Sequence, residues 1–142
     1  MTGVQTCALP ISGDRFPDGK GAKEYILKFI GAQDYVAALG NNQRSAEAIA
    51  NIVGLIQQER FSIRLDMVHG TPQRGKDIQL MQDLLSPNAH IKGTAVLTFI
   101  YSIRCNTFHG RKDFNPVQRL ILAPTNVLLR QTIEIALAKL RR

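Results

Sequence analysis

The sequence is poor in the residues that mark several common protein classes. It has no tryptophan and only two cysteines, Cys7 and Cys105, which is too few for the disulfide framework of a small secreted domain. No uninterrupted apolar run approaches the roughly 18 residues that a membrane span needs. We therefore expect neither a disulfide scaffold nor a membrane partner.

Recognisable cofactor and metal motifs are also lacking. The three histidines, His69, His90 and His109, show no metal-ligand spacing such as His-x3-His. The chain has no Gly-x-Gly-x-x-Gly fingerprint and no phosphate-binding loop of the P-loop type. We expect no metal and no cofactor.

The first eleven residues, 1–11, match codon for codon the translation of a common sequencing-library adapter, and Ser12 continues the frame. We interpret them as an artefact and exclude them from the fold, so that the native N-terminus is expected upstream of this sequence. Cys105 is then the only native cysteine. A single cysteine forms no intrachain disulfide, and a cytoplasmic, reducing location is expected.

Charge is strongly unbalanced. Eighteen lysines and arginines against eleven acidic residues give a net charge of +7, all of it within residues 12–142, which are enough for one domain with a core. A basic balance favours a polyanionic partner, with RNA or DNA ahead of a membrane surface.

Apolar residues recur at helical spacing through most of the chain. The spacing predicts helices over 23–38, 45–59, 76–85, 90–108 and 116–140, with residues 61–75 irregular. The buried face of the second helix is predicted at Ala46, Ile49, Ile52, Val53 and Ile56, and that of the fourth at Ile91, Ala95, Val96, Phe99, Ile100 and Ile103. The sequence therefore predicts an all-α, single-domain bundle of four to five helices over residues 12–142.

Four positions indicate how these helices begin, end or weaken. Gly31 is a weak point in the first helix, and Ser45 is expected to cap the second. Asn115-Pro116 has the form of an N-cap followed by a first helical residue. Pro124 predicts a kink or a break in the last helix.

One segment combines groups that suit phosphate chemistry. Arg104, Asn106 and His109 come at the end of an apolar helical stretch, and Gly110 follows in a position that suits a helix terminus. An arginine binds phosphate oxygens and a histidine transfers protons near neutral pH. Arg-x4-His is a short pattern, and it recurs at Arg64–His69 in irregular sequence, where we interpret it as a coincidence.

The extended motif, Ile100-Tyr101-Ser102-Ile103-Arg104-Cys105-Asn106-Thr107-Phe108-His109-Gly110-Arg111-Lys112, resembles the active-site signature of HEPN domains (higher eukaryote and prokaryote nucleotide-binding domains), and is most similar to the Apea-like branch. The resemblance implies a helical bundle that dimerises so that two motifs face each other, and a metal-independent ribonuclease activity. It implies catalytic roles for Arg104, Asn106 and His109. Arg111, Lys112 and Tyr101 are the candidate RNA-binding residues.

Helix geometry favours a composite site, that is, one site formed by residues of two copies of the chain. On a straight helix Arg104 and His109 lie about 140° apart, so one helix aims them poorly at one phosphate. Cleavage by 2′-hydroxyl attack needs both a base and an acid, and a symmetric dimer brings two histidines. Some HEPN toxins carry a tyrosine two residues after the histidine, where a partner enzyme modifies them. Here Arg111 stands at that place, which puts this form of neutralisation in doubt.

Other interpretations remain open at this point. Arg104 can neutralise a helix terminus and His109 can bond the last carbonyls. The resemblance suggests a role in phage defence, stress or a toxin–antitoxin pair with an antitoxin partner. The main alternative is a non-catalytic HEPN module that binds RNA, a nucleotide or a partner protein. A weaker one is a DNA-binding helical regulator.

Overall fold

The computed structural model describes residues 18–59, 62–63, 69, 71–108 and 116–141, with the side chains of 18–20, 105–108 and 116–119 outside the description. Within these ranges the chain forms six helices: α1 (Asp18–Ile30), α2 (Ala32–Asn41), α3 (Gln43–Gln57), α4 (Arg74–Leu84), α5 (Ala89–Phe108) and α6 (Pro116–Leu140). The all-α single-domain bundle is confirmed. The sixth helix arises because the predicted first helix is two.

Gly31 divides that first helix. Its φ of 93° lies in the left-handed region, which glycine adopts without steric cost. The Gly31 amide closes the end of α1 by donating to the Leu27 carbonyl, at 2.8 Å, and the Gly31 carbonyl accepts from the Tyr35 amide, at 2.9 Å. One residue thus ends α1 and begins α2.

The residue that caps α3 is Asn42, and the prediction of Ser45 as the cap is wrong. The helix begins at Gln43, and the Asn42 side chain accepts a hydrogen bond from the Ser45 amide at 2.9 Å. Ser45 is instead buried inside the first turn. Both residue types cap helices well, and the position of the turn decides between them. Ala46, predicted on the inner face, is exposed.

Polar contacts join the start of α4 to the irregular segment before it and to α3. Ile63 is fully buried, and its amide donates to the buried carboxylate of Asp77 at 3.1 Å. Arg74 donates to the Ile56 carbonyl near the end of α3, at 2.7 Å. These contacts satisfy backbone groups that a buried loop would otherwise leave unpaired.

Helix α5 occupies the middle of the bundle, in contact with α1, α2, α4 and α6. Its apolar side chains therefore point in several directions, as expected of a helix surrounded by others. The core is formed by apolar side chains from every helix, among them Tyr35, Leu39, Ile52, Ile56, Leu84, Val96, Phe99, Ile121 and Leu128. Ile91 differs from the prediction and is exposed at the start of α5.

Helix α6 begins at Pro116, as predicted, and runs without interruption through Pro124. Of the predicted kink or break at Pro124, the break is therefore wrong. A proline removes one backbone donor, while Thr125 next to it donates its hydroxyl to the Ile121 carbonyl at 2.6 Å. Helix α6 also packs against α3.

Among the described residues, the segment Leu120–Leu140 is long and apolar enough to cross a membrane by length and composition, with a mean hydropathy of 1.2. This segment contains no long uninterrupted apolar run, because Asn126, Arg130 and Glu134 interrupt its apolar residues. One side of α6 is buried at Ile121 and Leu128, as in a core helix of a bundle.

Candidate functional site

The candidate site lies at the end of α5, and the start of that helix is firmly capped. The Asn88 side chain accepts from the Ile91 amide at 3.0 Å, and its carbonyl accepts from the Lys92 amide at 2.9 Å. Helix α5 then extends to Phe108, which confirms the predicted end. His109 follows Phe108 in the sequence and lies outside the described residues.

Close packing of α1 on α5 fixes the position of this helix. Gly93 is buried where a β-carbon would lie 2.8 Å from Leu27 Cδ2 and 3.3 Å from the Tyr35 ring. One turn further along, Lys23 donates to the Thr98 hydroxyl at 3.0 Å. Sequence reasoning missed both contacts, because neither residue type signals its partner.

Arg104 lies on the solvent side of the last turns of α5. Its neighbour Ile103 is buried in the core, while Arg104 itself is exposed. Burial of the adjacent apolar residue orients the helix so that the guanidinium faces outward. An exposed arginine is accessible to a phosphate group.

Tyr101 and Arg104 are in contact with each other. The guanidinium carbon of Arg104 lies 5.7 Å from the centroid of the Tyr101 ring, within the range of a cation–π interaction. Residues three apart on a helix meet in this way because side chains point back towards the preceding turn. The two predicted site residues whose side chains the structure describes are therefore brought together.

The other predicted site residues are outside what the structure describes in detail. Asn106 belongs to α5, but its side chain is not described, and His109, Arg111 and Lys112 fall in the segment 109–115. Their roles stay predictions. In the second Arg-x4-His copy, His69 is exposed in a turn and Arg64 lies outside the described ranges.

Two buried polar groups elsewhere were not predicted. The Tyr35 hydroxyl lies 2.7 Å from the Thr132 hydroxyl, which itself donates to the Leu128 carbonyl at 2.7 Å. Burial raises the pKa of Tyr35 well above its ordinary value of 10.0, against a lowering effect of the bond to Thr132. Because Tyr35 is fully buried, a substrate cannot reach it, and we assign it to the core.

The outer side of α6 carries a second surface that the sequence analysis did not single out. Leu129, Ile133, Leu137 and Leu140 are exposed by 42%, 51%, 45% and 65%. A shallow open depression of about 580 Å³ lies on this side, lined by Asn126, Leu129, Arg130, Ile133 and Glu134. The signal was present in the sequence as residues three and four apart on one helix.

No group of three or more metal-binding side chains occurs in the part of the chain that the structure describes. Comparison of the chain with protein-family models, with curated proteins and with solved structures gives no match. The function of the chain is therefore inferred from its own residues.

Proposed function

We propose that the chain is a metal-independent endoribonuclease of the HEPN type, which cleaves RNA at a composite site formed by two copies. The observation that carries the proposal is the position of Arg104, an exposed arginine in the last turns of the central helix, five residues before His109. The net charge of +7 supports a polyanionic substrate.

The proposed reaction is an attack of the ribose 2′-hydroxyl on the adjacent phosphorus. His109 of one copy removes the 2′ proton, and a 2′,3′-cyclic phosphate forms as the bond to the 5′ oxygen breaks. His109 of the other copy gives a proton to that leaving oxygen. Arg104 stabilises the charge on the phosphorane oxygens, and Asn106 orients His109 or donates to the same phosphate.

Arg111, Lys112 and Tyr101 are proposed to hold the RNA. Arg111 and Lys112 would contact phosphates and set the position of the strand. Tyr101 is proposed to stack on a base, with the Arg104 guanidinium, now 5.7 Å from its ring, moving to the phosphate. Breaking the contact between Arg104 and Tyr101 costs little, because an exposed cation–π interaction contributes only about 0.5–1 kcal/mol.

A second function, RNA or nucleotide binding without cleavage, is favoured by the same Tyr101–Arg104 pair, since stacking and charge suffice for binding. Defence, stress or toxin–antitoxin roles, with an antitoxin as partner, are proposed from the resemblance to HEPN domains alone.

Cleavage of mixed RNA in excess EDTA tests the proposal. We expect His109→Ala and Arg104→Ala each to lower the rate by about 10²–10⁴-fold. His90→Ala and Arg44→Ala are the matched controls, because both residues are exposed and distant in sequence from the motif, and they should keep the rate. Replacing the ribose at the cleavage site by deoxyribose should stop the reaction.

The outcomes separate the two functions. Cleavage that survives His109→Ala would rule out the proposed site. RNA binding that the Arg104 substitution weakens, with no cleavage by the unchanged protein, would favour the binding module.

A further inference from the structure

Within the part of the chain that the structure describes, the outer side of α6 is an apolar face without a packing partner. We name Asn126, Leu129, Ile133, Leu137 and Leu140 the α6 stripe. The four apolar members are at least 42% exposed, although the opposite side of the same helix packs on α3. A contiguous exposed apolar face on one helix indicates an interaction surface.

The spacing of the stripe points to another helix as its partner. Asn126, Ile133 and Leu140 recur every seven residues, and Leu129 lies between the first two at the offset of three. Asn126, Ile133 and Leu140 thus take a positions of a two-stranded helix pair and Leu129 takes a d position, while the second d position is Ala136, which is partly buried against the core. The depression on the stripe is lined by α6 residues only, so it is open to a second helix.

We infer that the α6 stripe packs against the α6 stripe of a second copy of this chain, with the two helices parallel and related by a two-fold axis. The stretch from Asn126 to Leu140 is about 21 Å long at 1.5 Å per residue. An interface of this length is small, so we expect a concentration-dependent dimer.

Asn126 decides in favour of the parallel orientation. In a parallel pair the two copies of Asn126 meet across the axis, where each amide both donates to and accepts from the other, and a single asparagine at such a position specifies this register. In an antiparallel pair, the a positions of one helix lie opposite the d positions of the other, so Asn126 would lie opposite Ala136. Its amide would then lose water without gaining a partner, which is unfavourable.

The charged residues beside the stripe agree with this orientation. Arg130 and Glu134 form an exposed ion pair at 3.6 Å on one flank. An antiparallel pair centred near residue 131 would bring the two copies of Arg130 face to face, and like charges repel. A parallel pair keeps them on opposite sides of the two helices.

The parallel orientation has a consequence for the candidate site. Only seven residues connect Phe108 to Pro116, so the end of α5 lies within about 29 Å of the beginning of α6. A parallel α6 pair places both beginnings at the same end of the dimer, with Pro116 about 15 Å along the axis from Asn126. The bearing of this dimer on catalysis rests on the proposed ribonuclease function, whereas the association itself does not.

Sedimentation over a dilution series tests the surface. We expect the unchanged chain to dimerise and Ile133→Glu to raise the dissociation constant about a hundredfold, since the change occurs twice per dimer and each copy costs about tenfold. Ile91→Glu is the matched control, an exposed isoleucine on α5, and should leave the constant unchanged. An unchanged chain that stays monomeric, or an Ile133→Glu variant that still dimerises, would overturn the inference.

Disulfide trapping tests the orientation, in a background with Cys7→Ser and Cys105→Ser that retains the circular dichroism of the unchanged chain. Leu140→Cys should crosslink in a parallel pair, but in the antiparallel pair its two copies would be about 27 Å apart. Ile133→Cys should also crosslink in a parallel pair, whereas in the antiparallel pair its two copies would be offset by about 6 Å along the axis. A crosslink at 133 without one at 140 would refute the parallel dimer.

Two further results are informative. Flotation of a monomeric chain with lipid vesicles, abolished by Ile133→Glu, would assign the stripe to a membrane and overturn the inference. A stripe dimer without RNA cleavage would leave the inference intact and contradict the proposed activity. The two proposals can therefore fail separately.

Discussion

Replacing Gly93 by alanine tests whether the central helix is held by close contact with its neighbours. A β-carbon at this position would lie 2.8 Å from Leu27 Cδ2, 3.3 Å from Tyr35 Cδ2 and 3.6 Å from Val36. Leu27 and Tyr35 are both buried, so relief of the contact requires a shift of a side chain within the core. The substitution therefore overpacks the junction of α1, α2 and α5.

Two opposing effects set the magnitude. Alanine is favoured over glycine inside a helix by about 1 kcal/mol, whereas overpacking a core costs about 1–3 kcal/mol. We expect the free energy of unfolding to fall by about 0–2 kcal/mol. Gly54→Ala in α3 is the matched control, because no atom lies within 4 Å of its added carbon, and we expect it to stabilise by about 0.5–1 kcal/mol.

Urea unfolding followed by circular dichroism measures both variants. The two substitutions should differ by about 1–3 kcal/mol, or several degrees in Tm. In a Leu27→Val background the nearest clashing atom is absent, so Gly93→Ala should cost less than in the unchanged chain. If Gly93→Ala stabilises as much as Gly54→Ala, the reasoning about close packing is wrong.

Two polar contacts give further predictions. Because burial raises the pKa of Tyr35, only the unfolded chain loses this proton near pH 10, and the free energy of unfolding should fall as pH rises above about 10. Tyr35→Phe should flatten this fall in a pH series of urea unfolding, and an unchanged slope would contradict the assignment. Asn42→Ala removes the acceptor for the Ser45 amide and the donor to Gln131, and should destabilise by about 1–2 kcal/mol. Asn42→Asp keeps the cap and should recover most of that loss in the same assay, whereas a loss equal to that of alanine would exclude the capping role.

Much of the helical organisation could be predicted because its signals are local. Apolar spacing and stop residues predicted α3, α4, α5 and α6 to within about two residues at most ends. Gly31 was recognised as a weak point, but whether it would bend or divide the helix depended on its φ. Likewise, Ser45 and Asn42 can both cap, and only the course of the backbone at the turn selected Asn42.

The candidate site was predicted in part. The sequence placed Arg104 at the end of a long helix, and the structure adds that Arg104 is exposed and in contact with Tyr101. This contact could not be read from the motif, because it depends on which side of α5 the core covers. The proposed roles of Asn106, His109, Arg111 and Lys112 remain predictions.

Helix α6 shows most clearly what the sequence determines and what the tertiary structure determines. The sequence by itself determined a long helix with apolar residues on two sides and a seven-residue spacing through Asn126, Ile133 and Leu140. Only the tertiary structure decided which side is buried. Leu128 and Thr132 enter the core, where Thr132 meets the Tyr35 hydroxyl, and the α6 stripe is left in solvent. The physical reason is that periodicity sets which residues share a face, whereas the packing partner of a face depends on residues distant in the chain.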